Sequence, residues 1–192
     1  MELNIRDLCL SFDGRSVLSD VNLSLHSGNV YCLMGPSGSG KTSFLKILLG
    51  LLKADSGFVH IPVGIKMSAV FQEDRLCEEF TPMENLIMTV PGYSREHREK
   101  AKEILLNLLP EESLLRPVST LSGGMKRRVA IGRALFVPSD VILMDEPFTG
   151  LDHGTKEKVI RYIKTCTRDK LVIISTHHSE DAALFDGTLI HV

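Results

Sequence analysis

Hydrophobic and polar residues alternate loosely from Leu3 to Leu25, first in LNIRDLCLSF and then in VLSDVNLSL. Asp13-Gly14-Arg15 separates the two runs and predicts a turn between antiparallel strands. Asn29 to Met34 (NVYCLM) is a short apolar run that stops at a glycine, the pattern of a buried strand. Helical spacing follows from Lys41 to Leu52. Asp55-Ser56-Gly57 predicts a turn, and Phe58 to Ile61 and Ile65 to Phe71 read as strands. After Gln72 the pattern changes. Glu73 to Leu115 is charged and helix-like, and Ala101, Ile104, Leu105, Leu108 and Leu109 share one face of an amphipathic stretch from Ser94 to Leu109. Pro110 and Pro117 punctuate its end. This segment predicts a small helical subdomain inserted into an α/β core. From Leu121 the alternation resumes: a helix, a strand at Val141 to Met144, a helix at Gly154 to Thr165, a strand at Leu171 to Ser175 and a last strand near Thr188 to Val192. Such alternation implies a mainly parallel sheet covered on both faces, with an antiparallel β unit at the N-terminus.

The chain has 192 residues, enough for one domain with a full core, and its 43% hydrophobic and 24% charged content is that of a globular protein. A formal net charge of -2 gives no argument for nucleic acid or an acidic lipid surface as partner. No apolar run approaches the ~20 residues needed to span a bilayer. The best candidate, Phe44 to Leu52, is short and carries Lys46. MELNIRDL has early acids and no apolar core, so a signal peptide is not expected and a cytoplasmic location is. Cys9, Cys32, Cys77 and Cys166 lack CxxC or zinc-ligand spacing. Cys9 and Cys32 read as small buried hydrophobes.

Gly35 to Thr42, GPSGSGKT, fits G-x-x-x-x-G-K-[ST] between a buried strand and a helix. Gly35, Gly38 and Gly40 allow the backbone to curl so that its N–H groups converge on phosphate oxygens. The following helix presents its positive end to the same anion. Lys41 offers a charge to β- and γ-phosphates, and Thr42 a hydroxyl to Mg²⁺. Pro36, Ser37, Ser39 and Ser43 complete the expected binding loop. VILMDEP, an apolar strand ending in two acids, places Asp145 to hold Mg²⁺, directly or through water, and Glu146 to polarise an attacking water.

Leu121 to Leu135 reads LSGGMKRRVAIGRAL. Ser122 can cap a helix whose positive end exposes the N–H groups of Gly123 and Gly124. Lys126, Arg127 and Arg128 read as a solvated face, not a nucleic-acid patch. This stretch closely resembles the signature motif of ABC ATPases, usually LSGGQ. In the same order, VFQEDRL resembles the family's Q-loop, FTGLD its D-loop and ISTHH its H-loop, and Phe12 matches the aromatic that stacks on adenine. The resemblance runs from Leu3 to Val192. It implies one ABC ATPase domain over 1–192 with a P-loop NTPase core and a helical subdomain at approximately 73–120. It further implies ATP and Mg²⁺, and a head-to-tail dimer, with itself or a second ABC subunit, holding two ATP molecules at the interface. Ser122, Gly123 and Gly124 would then meet the γ-phosphate bound by Lys41 of the other copy. Gln72 would reach Mg²⁺ and the lytic water, His177 would contact the γ-phosphate and orient Glu146, and Asp152 would act across the interface.

Met125 stands where the signature glutamine is usual, His178 where an acid often follows the switch histidine, and Phe12 where tyrosine is commoner. The short separation of Lys41 from Gln72 and the nearness of His177 to the last residue suggest a trimmed domain without a C-terminal regulatory extension. The resemblance implies the ATPase subunit of an ABC transporter, peripheral on the inner face of the cell membrane, with separate permease subunits supplying the spans. Phe71 to Leu86, FQEDRLCEEFTPMENL, resembles importer ATPases of the nitrate, sulfonate and taurine type. The alternative is a soluble ABC ATPase of a cluster-assembly or division-associated complex. A docking surface for the membrane partner is expected between Arg75 and Asn85, anchored by Phe80 and Met83.

Overall fold

The computed structural model describes residues 1–92 and 94–191, so Val192, the last position of the expected final strand, lies outside the described residues. Two sheets form. Strands β1 (Glu2–Phe12) and β2 (Arg15–His26) pair antiparallel from Glu2↔His26 to Phe12↔Arg15. Asp13 and Gly14 both take positive φ, 49° and 75°, as a tight hairpin matched to strand twist requires. Strand β4 (Ser56–His60) adds to the other edge of β1. The alternation of β1 slips once: Leu3, Ile5, Leu8 and Leu10 are buried, and the register shifts between Ile5 and Leu8, where Asp7 has φ 49°. This bulge is why the pattern is only loosely periodic.

The second sheet contains β3 (Val30–Met34), β5 (Met67–Val70), β6 (Val141–Asp145), β7 (Leu171–Ser175) and β8 (Thr188–His191), in the order β5-β6-β7-β3-β8 with every neighbouring pair parallel. Alternate residues of its central strands serve two cores. Val141, Leu143, Leu171 and Ile173 pack with helix α1 (Lys41–Leu48) and the N-terminal sheet. Ile142, Met144, Val172 and Ile174 pack with helices α3 (Arg95–Leu108), α4 (Gly123–Phe136) and α5 (His153–Cys166). The two-residue period therefore assigns Asp145, at the end of β6, to the α1 side.

Helix α1 ends four residues before the expected Leu52. Gly50 takes φ 69°, its N–H bonds Ile47 O at 2.9 Å, and Leu51 N–H bonds Lys46 O at 2.8 Å. Those two bonds close the helix in a left-handed cap. Helix α2 (Pro82–Ile87) starts in a capping box of Thr81 and Glu84. The expected face of α3, with Leu109, is buried. Helix α6 (Ser179–Phe185), absent from the sequence reading, carries the chain from β7 across to β8. Cys32 is buried as expected, whereas Cys9 is only partly so and its Sγ accepts the Asp20 N–H. Among the described residues no helix is long and apolar enough to cross a membrane.

Candidate functional site

The phosphate-type loop lies between β3 and α1. Of its glycines, Gly38 and Gly40 take positive φ, 83° and 102°. A Cβ on Gly40 would also lie 2.8 Å from side-chain atoms of Val17 and Leu18 and 2.9 Å from Val17 O, so both backbone and packing require glycine there. Gly35 has another use: its carbonyl, with that of Pro36, accepts hydrogen bonds from Lys41 Nζ at 2.7 and 2.9 Å. Gly40 begins α1 without a side-chain cap, and the first turn contains no acid. Its amides therefore retain their donors for an anion. Ser39 Oγ is buried without a hydrogen-bond partner, a further donor suited to a phosphate oxygen.

The register Asp145↔Ser175 sets the two strand ends side by side. Asp145 accepts from Thr42 Oγ1 at 2.7 Å through one carboxylate oxygen and from Ser175 Oγ through the other. Ser175 is fully buried, and its Oγ also accepts the Glu146 N–H at 2.9 Å. Glu146 has φ 47°, a left-handed turn that costs about 1–2 kcal/mol in a residue with a Cβ. Its side chain meets His177 Nε2. One cleft of about 400 Å³ brings Glu146 and His177 together with Phe12, Gln72 and the loop residues Ser37, Lys41, Thr42 and Ser43. Phe12, 46% exposed, stands at its rim.

Ser122, Gly123, Gly124 and Asp152 do not line that cleft. Ser122 caps α4, accepting the Met125 N–H at 3.3 Å. A Cβ on Gly124 would lie 3.0 Å from Gly150 O and 3.3 Å from the Leu151 side chain, so the turn rests on the loop leading to Asp152. Asp152 caps α5 through Thr155, whose hydrogen bonds hold its carboxyl below the usual carboxylate range. Because only the Met125 amide serves the cap, methionine in place of glutamine leaves this turn intact.

Three features escaped the sequence reading. Lys126, Arg127 and Arg128 are not a solvated face. Lys126 pairs with Glu78 at 2.7 Å, Arg128 donates to Leu108 O at 2.6 Å, and Arg127 is buried against the segment carrying Gln72. Ser175, which links both acids, read only as the end of an apolar strand. Asp181, 1% exposed, pairs with Lys156 at 2.7 Å and accepts from Thr176 Oγ1, which in turn accepts the His178 N–H at 3.1 Å. Those bonds pin the backbone on both sides of His177. Within the expected docking stretch, Phe80 is 44% exposed but Met83 is core, and Glu78 is engaged by Lys126. Helical spacing alone does not distinguish Met83 from Phe80.

Residues 18–149 match the family model described as ABC transporter. The sulfate/thiosulfate import ATP-binding protein CysA of Halalkalibacterium halodurans is 33% identical over 200 residues, covering 95% of this chain and 56% of that protein. The chain thus spans little more than half of that relative. The taurine import ATP-binding protein TauB of Yersinia pestis is 32% identical over 199 residues, covering 98% of this chain and 78% of TauB. The Nod factor export ATP-binding protein I of Rhizobium sp. (strain N33) is 34% identical over 187 residues, covering 90% and 61%. Among solved structures, the dimeric ATP-binding cassette MJ0796 in a post-hydrolysis state with ADP and Pi superposes with a TM-score of 0.88 at 30% identity, over 99% of this chain and 94% of that one.

Proposed function

Because the chain belongs to the ABC transporter family, we propose that it is the ATP-binding and ATP-hydrolysing subunit of such a transporter, an importer. The observation that carries this reading is the single cleft in which Lys41, Thr42, Gln72, Glu146 and His177 converge. Lys41 moves from its own loop carbonyls to the β- and γ-phosphates of ATP, and the loop amides with Ser37, Ser39 and Ser43 hold the remaining oxygens. Phe12 stacks on the adenine. Thr42, Asp145 and Gln72 would hold Mg²⁺, for which the hydroxyl and carboxylate oxygens already set side by side are suitable hard donors. When bound, that ion neutralises charge on the β- and γ-phosphates. Glu146 takes a proton from the attacking water as its oxygen bonds the γ-phosphorus and the bond to the bridging oxygen breaks, leaving ADP and phosphate. His177 holds the Glu146 carboxylate and faces the γ-phosphate.

Ser122, Gly123, Gly124 and Asp152 act on the nucleotide of a second copy or a second ABC subunit in a head-to-tail dimer. The dimeric ATP-binding cassette MJ0796 supports that pairing. Residues 1–192 form one ABC ATPase domain, with the helical segment at approximately 73–120 inserted in it. Permease subunits carry the membrane spans, and this subunit sits on the cytoplasmic face. Import is favoured by the stretch Phe71 to Leu86 and by relatives named for taurine and sulfate/thiosulfate import. The test is co-purification of the tagged protein from detergent-solubilised native membranes. A stoichiometric multi-span partner is expected. A dimeric ATPase that never brings down such a partner would overturn the transport reading in favour of a soluble cluster-assembly or division-associated complex.

A further inference from the structure

The segment from Phe71 to Arg75, which carries Gln72, has no helix or strand of its own. Two arginines of α4 hold its carbonyls. Arg127, 7% exposed, donates from Nη1 to Phe71 O at 2.7 Å and from Nη2 to Gln72 O. Arg133 donates to Asp74 O at 2.9 Å and Arg75 O at 2.7 Å. Asp74 Oδ1 lies 3.2 Å from Arg127 Nη1, an ion-pair distance without hydrogen-bond geometry. The Arg75 guanidinium covers the Phe71 ring at 3.9 Å. The position of Gln72 is therefore set by α4. That helix is packed into the core through Val129, Ala130, Ile131 and Ala134, and the Ser122–Gly124 turn is continuous with its start.

One helix thus joins two places: the turn proposed to meet a second copy's nucleotide, and the loop that brings Gln72 to the nucleotide of its own copy. We propose that Arg127, seconded by Arg133, is a positioning residue that couples the two ATP sites of the dimer. Engagement of the Ser122–Gly124 turn shifts α4, and the guanidinium fork carries the Gln72 backbone with it. The inference rests on the dimer proposed above. A lysine at 127 keeps the charge but lacks the planar fork that spans two adjacent carbonyls, so it separates coupling from mere charge.

The chain contains no tryptophan, so Glu73→Trp, at an exposed position beside Gln72, gives a single fluorescent reporter of the loop. In a Glu146→Gln background, ATP is expected to drive dimerisation and a fluorescence change that appears with the dimer, not with binding to the monomer. Adding Arg127→Lys should leave ATP binding and ATP-driven dimerisation near those of the parent, lower the melting temperature by only the few degrees that a lost charged hydrogen bond costs, and abolish the dimer-linked change. In the chain with Glu146 intact, Arg127→Lys should cut kcat about tenfold with little change in KM. Arg133→Lys provides the same test should Arg127→Lys fail to fold. A dimer-linked signal or a kcat that survives the lysine variants would overturn this inference alone. A Glu146→Gln protein that stays monomeric with ATP would overturn the dimer and this inference together.

Discussion

Two glycine-bearing turns open helices in this chain, and they are furnished differently. The turn before α1 has no side-chain cap, leaves its amides uncapped, has its own cation in Lys41, bonds Asp145 through Thr42 and faces Glu146 across the cleft. The turn before α4 is capped by Ser122, and each of the cations that follow is committed: Lys126 to Glu78, Arg127 to the Gln72 segment and Arg128 to Leu108 O. The first has within its own chain the free donors and the cation that an anion site needs. The second offers a helix dipole and a hydroxyl but no uncommitted charge, which suits it to a phosphate only when another surface delivers one. The same local motif can thus be a binding site or half of one, and the disposition of neighbouring charges decides which.

Removing charge from the first turn should have the larger effect. Lys41→Ala should weaken ATP binding to the isolated chain by about 100-fold, the scale of a lost charge-assisted contact to phosphate in a partly buried site; equilibrium titration with a fluorescent ATP analogue reads it. Unchanged affinity would erase the distinction between the turns. Ser122→Ala should leave that affinity intact, lower turnover about tenfold and cost about 1 kcal/mol of stability through the lost cap, read as a lower melting temperature. Weakened ATP binding by the monomer would show instead that the second turn contacts nucleotide within its own chain. The smallest effect concerns Asp152. Hydrogen bonds from Thr155 depress its carboxyl pKa, so its contribution to stability is present above the unfolded value, roughly 3.9, and is lost as pH falls through the lower folded value. Asp152→Asn keeps a capping oxygen but does not titrate. Its melting temperature should match the parent near neutrality and fall less steeply in acid.

Much of this was legible because the signals are local. Each of the expected strands appears, and GPSGSGKT, VILMDEP and ISTHH fall at the ends of parallel strands, where topology gathers them. What was not legible depends on distant chain. The run Lys126-Arg127-Arg128 has the composition of a wet helix face, and only the return of residues 71–75 across it buries Arg127. Ser175 looks like strand filler until the register sets it beside Asp145. Helix α6 is seven residues long with two acids in its first turn, too short for an amphipathic period to emerge. The end of α1 was overrun because Leu49, Leu51 and Leu52 extend its apolar pattern, whereas the left-handed Gly50 stops the backbone.

The parity of β6 carries one last consequence. Met144 faces the helical core and Asp145 the α1 side, one residue apart on a strand of period two. Inserting or deleting a single residue there would trade the two, driving a carboxylate into hydrocarbon and a thioether into the site. A chain with a misaligned β6 is therefore not a sluggish version of this protein but a poorly folded one. The lesion surfaces as lost solubility before it can surface as a lost activity, so selection or a laboratory screen that removes misfolded chains also proofreads the geometry of the cleft.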